Sequence, residues 1–167
     1  MKELWDVLDK NRKIVGRTIE RGWLKPGDFH LIVNVWIKNK NGYYLISKRT
    51  NNKRWPNLWG PTIGSAITND NSLTTALKEV KEELGIILAP ENGVLFKEFI
   101  HYVNENKDCG EFIDVWLFTQ EIDKSKVCLQ ENETCDSMWA KKNEISRMMQ
   151  ENTFISEIDL PYFNELN

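Results

Sequence analysis

Cysteine, histidine and long apolar runs are all scarce in this 167-residue sequence. Cys109, Cys128 and Cys135 are odd in number and scattered, which excludes the spacing of a zinc site or a redox pair. With no disulfide framework legible, a reducing, cytoplasmic compartment is expected. His30 and His101 stand alone, so packing or surface roles are expected of them rather than catalysis. No apolar run approaches membrane-spanning length, and Met1 to Asp6 lacks the basic-then-apolar layout of a signal peptide. A dominant charge is missing too: 22 Lys+Arg against 25 Asp+Glu leaves a net charge of −3. That balance gives no sign of a nucleic-acid or membrane partner. Without repeats, linkers or low-complexity tracts, residues 1–167 read as one domain.

What is present is an ordinary soluble composition, 41% hydrophobic and 28% charged. Leu4 to Leu8 and Ile14 to Ile19 read as short strands around a polar turn. His30 to Ile37 and Tyr43 to Ile46 flank Asn41-Gly42, a hairpin signal. Pro61 to Ala66 reads as a small-residue loop, Val94 to Tyr102 and Phe112 to Gln120 as strands, and Met138 to Ala140 as a short last strand. Lys142 to Gln150 and a terminal segment from Ile155 to Leu166 are expected to be helical. The order implies a mixed sheet with helices packed on it, an α/β class.

The clearest helix spans Ser72 to Leu84, with N-cap candidates at Asp70, Asn71 and Ser72 and a stop at Gly85. Leu73, Ala76, Leu77, Val80 and Leu84 form one apolar stripe. Glu79, Glu82 and Glu83 share another patch, expected to lie opposite that stripe. Like charges at i,i+4 repel by a few tenths of a kcal/mol. A hard divalent cation would turn the repulsion into coordination; alternatively the face is simply solvated, with Lys78 and Lys81 screening it.

The 23 residues from Gly64 to Ile86, GSAITNDNSLTTALKEVKEELGI, decide between these readings. The segment resembles the Nudix box, G-x5-E-x7-R-E-U-x-E-E-x-G-U, without a gap. Gly64, Glu79, Val80, Glu82, Glu83, Gly85 and Ile86 match. Asp70 stands for the first glutamate, Lys78 for the arginine, and Asn69 for the glycine that usually precedes that glutamate. Glu3 to Asp6, Gly27 to His30, Lys48-Arg49, Trp55 to Trp59 and Asp114 to Leu117 further resemble a branch related to isopentenyl-diphosphate isomerase.

The resemblance implies an α/β/α sandwich with a mixed sheet, and hydrolysis of the diphosphate linkage of a nucleoside diphosphate derivative. It implies Mg2+ or Mn2+ held by Glu79, Glu82 and Glu83, with the Gly64 carbonyl as a further ligand and Glu82 also counted among the catalytic residues. Lys78 would orient the glutamates and Asp70 would support them with a shorter reach. Glu133, six residues before Trp139, is the expected outer ligand or general base, and Glu131 the fallback. Of the basic residues Lys48, Arg49, Lys53 and Arg54, Arg49 is the candidate for substrate phosphate. Trp36, Trp55, Trp59 and Trp116 could stack on a base, with core packing their expected use. Homodimers are common among such proteins, but no interface is legible here.

Two other functions fit the same fold. An isomerase would need a cysteine beside the box glycine, and Pro61-Thr62-Ile63-Gly64 has none. A non-catalytic nucleotide-binding module would explain the departures at Asp70 and Lys78, but such decay usually removes the glutamates, and all three remain. Turnover separates that module from an enzyme.

Overall fold

The computed structural model describes residues 3–22 and 24–167. The strand reading holds along most of the chain: β1 (Leu4–Leu8), β2 (Ile14–Glu20), β3 (Phe29–Lys38) and β4 (Tyr44–Arg49) follow in order. Next come β5 (Trp59–Gly60), β6 (Thr62–Ser65) and helix α1 (Ser72–Leu84). β7 (Gly93–Tyr102), β8 (Gly110–Thr119), β9 (Thr134–Ala140) and helix α2 (Lys142–Gln150) complete the regular elements. The strands form one mixed sheet built around β3, which runs parallel to β8 over its whole length. Along its other edge β3 meets β1, β6 and β4 in turn, all antiparallel.

β3 can play this part because it is buried on both faces, as a near-continuous apolar run should be. Val33, Val35 and Ile37 point to α1 and pack on Ala76, Val80 and Leu84. Ile32 and Trp36 point the other way, onto Ile145 and Met149 of α2 and onto the C-terminal residues. The result is the expected α/β/α sandwich.

Two expectations fail. Pro61 to Ala66 is not a loop: β6 pairs with β3 from Ile32↔Ser65 to Val35↔Thr62. Small side chains hid the alternation, in which Thr62 and Gly64 are buried while Ile63 and Ser65 are partly exposed. Nor is the segment from Ile155 to Leu166 a helix; only Phe163–Glu165 makes a single 3₁₀ turn. Pro161 lacks the amide a helix needs and restricts Leu160 before it. At the segment's start, Ile155 N–H donates to the Trp59 carbonyl (2.9 Å), holding the chain extended beside β5. The apolar residues are there for the core: Phe154, Ile155, Leu160, Tyr162, Phe163 and Leu166 are all buried. β9 also starts four residues earlier than expected, at Thr134.

Candidate functional site

Helix α1 begins and ends as its sequence requires. The Asn71 side chain accepts from Thr74 N–H (2.8 Å), and Gly85 closes the helix at φ 68°, where a side chain would be strained. Asn69, in place of the usual glycine, takes φ 71°, a conformation asparagine tolerates. Trp116 on β8 donates its indole N–H to Ser72 Oγ (2.8 Å), pinning the first turn.

The glutamates do not share one solvated face. Glu82 is exposed, Glu79 is half-buried and Glu83 is buried at 3% exposure, on the flank that packs over β6. Gly64 makes this possible: a Cβ there would lie 1.9 Å from Glu79 Cδ and 2.4 Å from its Oε1. The helix therefore sinks two carboxylates toward the sheet beside its apolar stripe. Burial is the chief reason the Glu79 carboxyl is pushed up to about 7, with the Glu82, Glu3 and Glu133 charges adding to it. Burial likewise pushes Glu83 to about 8, against the pull of Arg49 and the Thr62 hydroxyl and with the push of Glu79 and Glu133. Glu83 Oε2 is buried with no hydrogen-bond partner. A buried, unpartnered carboxylate oxygen beside other carboxylates is costly unless something positive is bound.

Glu133 belongs to this cluster, since its charge acts on both Glu79 and Glu83. Glu131, the fallback, lies exposed on the turn before it. The turn is tied to the end of α1, where Gln130 N–H and Thr134 Oγ donate to the Glu83 carbonyl at 3.1 and 2.9 Å. Carboxylates and a backbone carbonyl are the hard oxygen donors that magnesium or manganese takes. Among the described residues no three such ligands already converge on one point, so a cation would draw them together. The orphaned Glu83 oxygen and the mutual repulsion of its neighbours fit that group.

Lys78 does not orient the glutamates. Its ammonium bonds both oxygens of Asp70 at 2.7 Å, so the two departures from the box pair with each other. The pair closes the loop from Asp70 onto the second turn of α1, and Lys78 is half exposed at 47%. Asp70→Glu should keep turnover within about twofold of the parent or raise it, because the long lysine can follow the added methylene. A loss of an order of magnitude, measured as kcat/KM, would show that the loop depends on the shorter acid.

A cavity of about 300 Å³ opens on the far side of β6, lined among others by Trp5, Arg49, Arg54, Trp55, Gly64 and Glu111. It abuts the carboxylates at Gly64 and Arg49. Arg49 is buried, donates Nε–H to the Arg54 carbonyl (2.8 Å) and acts on Glu83 across that boundary. Arg54 lies 4.2 Å over the Trp55 ring. His101, for which a packing or surface role is expected, is exposed and also lines the cavity, with Nδ1 3.0 Å from Glu111. His30 is buried, stacked on Trp5 at 3.8 Å, and burial drives it down to about 4, so it packs as a neutral ring. Of the tryptophans offered for stacking, Trp36 is core and Trp55 faces the cavity. Sequence reading set Arg54 aside in favour of Arg49 and did not bring Arg54, Glu111 and Trp5 to one place, because their nearness exists only after β1, β4 and β8 are brought to β3.

The NUDIX domain profile matches residues 28–158. An uncharacterized Nudix hydrolase of Listeria monocytogenes is 37% identical over 164 residues, covering 96% of this chain and 90% of the relative. A crystal structure from Deinococcus radiodurans superposes with a TM-score of 0.71 at 17% identity, covering 93% of this chain and 94% of that one. The NUDIX domain of Shewanella oneidensis NrtR, solved with ADP-ribose, superposes at 0.61 and 15% identity, covering 81% and 86%. No helix among the described residues is long and apolar enough to cross a membrane. Profile, relative and fold agree with the box on α1, and the chain belongs to the Nudix family as a Nudix-type hydrolase.

Proposed function

We propose that this chain hydrolyses the diphosphate linkage of a nucleoside diphosphate derivative, with Mg2+ or Mn2+ held by Glu79, Glu82, Glu83 and the Gly64 carbonyl. The observation that carries the reading is the buried, unpartnered oxygen of Glu83 among carboxylates that repel it. When bound, the cation supplies charge to the phosphate oxygens and acidifies water. The chain's own groups do the rest. Arg49, at the junction of cavity and box, meets a phosphate of the substrate. Glu133 takes the proton of the attacking water as its oxygen bonds to phosphorus and the bridging oxygen leaves with the other phosphate. Lys78 and Asp70 fix the loop before α1. Residues 1–167 act as one domain, in keeping with β1 on β3 and the C-terminal residues in the core. Three free thiols suit a cytoplasmic setting.

The test is cleavage of a panel of nucleoside diphosphates, triphosphates, dinucleotides and nucleotide sugars with magnesium, with manganese and with chelator. ADP-ribose joins the panel because a neighbour of the same fold holds it. Metal-dependent cleavage of at least one compound, abolished by chelator, is expected. Cleavage that survives chelation would overturn the metal assignment. Binding without cleavage of any member would favour a nucleotide-binding module instead.

A further inference from the structure

We propose that Lys53 is a positioning residue for Glu133, holding its carboxylate at the edge of the box cluster rather than binding substrate phosphate. The proposal rests on the reading of Glu133 as the group that takes the water proton. Lys53 Nζ pairs with Glu133 Oε1, and both side chains are largely shielded, at 20% and 27% exposure. The backbones are clamped as well. Thr50 N–H donates to the Glu133 carbonyl (3.1 Å), and Thr50 Oγ donates to the Asn132 carbonyl (3.1 Å). The loop after β4 therefore grips the 130–133 turn, while Gln130 and Thr134 grip the end of α1.

This grip matters because the Glu133 charge acts on two other carboxylates. Glu79 and Glu83 repel it, and a glutamate side chain has enough freedom to swing out to solvent. A fixed backbone cannot prevent that swing; a cation on the outer side can. The cavity lining points the same way. Arg49 at the end of β4 and Arg54 and Trp55 of this loop line it, whereas Lys53 does not. Substrate cations are thus the arginines, and the ammonium between them serves a different partner.

The experiment compares Lys53→Met, Lys53→Arg, Glu133→Gln and the Lys53→Met/Glu133→Gln double variant, with magnesium and the compound the parent cleaves fastest in the panel. Carbodiimide labelling of Glu133 in the metal-free protein, read by peptide mass spectrometry, accompanies the kinetics. Lys53→Met should lower kcat at least about tenfold with KM near parental, as expected when a general base is misplaced. Lys53→Arg should recover most of the rate, the double variant should be no slower than Glu133→Gln, and Lys53→Met alone should label faster. Raised KM at unchanged kcat would make Lys53 a phosphate ligand and overturn the proposal. Losses that multiply in the double variant, or labelling that does not change, would overturn it as well. Slow Glu133→Gln with parental Lys53→Met sinks the proposal alone. Full turnover in Glu133→Gln removes the premise, and the proposal with it.

Discussion

Glu83→Gln is expected to cut turnover on the order of a thousandfold, since the buried carboxylate contributes charge that an amide cannot. The same substitution should stabilise the protein when metal is chelated. The folded-state pKa of Glu83, about 8, lies above its ordinary value of 4.5, so folding favours the protonated acid. Its contribution to stability is complete below about 4.5 and is lost as pH rises through about 8. Glu79, pushed to about 7, adds a loss of the same sign. Glutamine mimics the protonated form at every pH. Thermal unfolding in chelator should therefore show the variant melting higher than the parent, with a gap that widens from pH 6 to pH 9. Magnesium should raise the parent and leave the variant nearly unchanged. A variant that turns over normally, or that melts lower than the parent in chelator at pH 8, would mean that Glu83 serves the core and not a cation.

Gly64→Ala should be the next most damaging change, for a reason confined to one atom. Its backbone lies in ordinary strand territory within β6, so alanine meets no conformational strain, and in a strand it should hold the chain better than glycine by a few tenths of a kcal/mol. The new methyl, however, would occupy the space of the Glu79 carboxyl, 1.9–2.4 Å from its atoms. Glu79 would have to turn away from β6. Activity should fall about 100-fold, as for an ångström-scale misplacement at a reacting centre. Manganese affinity, measured by titration, should fall in parallel while the melting temperature holds. Parental metal affinity in this variant would remove Glu79 from the ligand set.

How far the residues themselves disclosed this site depends on the kind of information each part needs. α1 was legible because caps, stripe and stop are all local: Asn71, Leu73 to Leu84, Gly85. The box residues were legible because their spacing is carried by one continuous segment. β6 was not, because Thr62-Ile63-Gly64-Ser65 has too little apolar contrast to display a two-residue period, and its pairing with β3 supplies the order. The burial of Glu83 was misjudged for a related reason. Helical periodicity describes one helix against one surface, and α1 rests on a sheet whose glycine lets a second flank sink. Lys78, which its place in the motif assigns to the glutamates, pairs instead with Asp70, eight residues before it. Lys53 and Glu133, 80 residues apart, meet only through β4 and β9, which lie side by side.

The C-terminal residues after Thr153 hold their place mainly through what their side chains bury rather than through a ladder of backbone bonds. Tyr162 accepts from Asn34 and Trp36 on β3, at 2.9 and 3.1 Å, while Ile158 and Asp159 stand at the cavity wall. Anchoring the chain and lining the cavity thereby fall to different residues in this stretch. Ile158, 91% exposed, can be exchanged for larger, smaller or charged residues without a strand register to preserve or a packed neighbour to displace. A library at position 158 therefore alters the cavity wall alone, whereas Asp159, which accepts from Ser156 Oγ (2.7 Å), is best left in place.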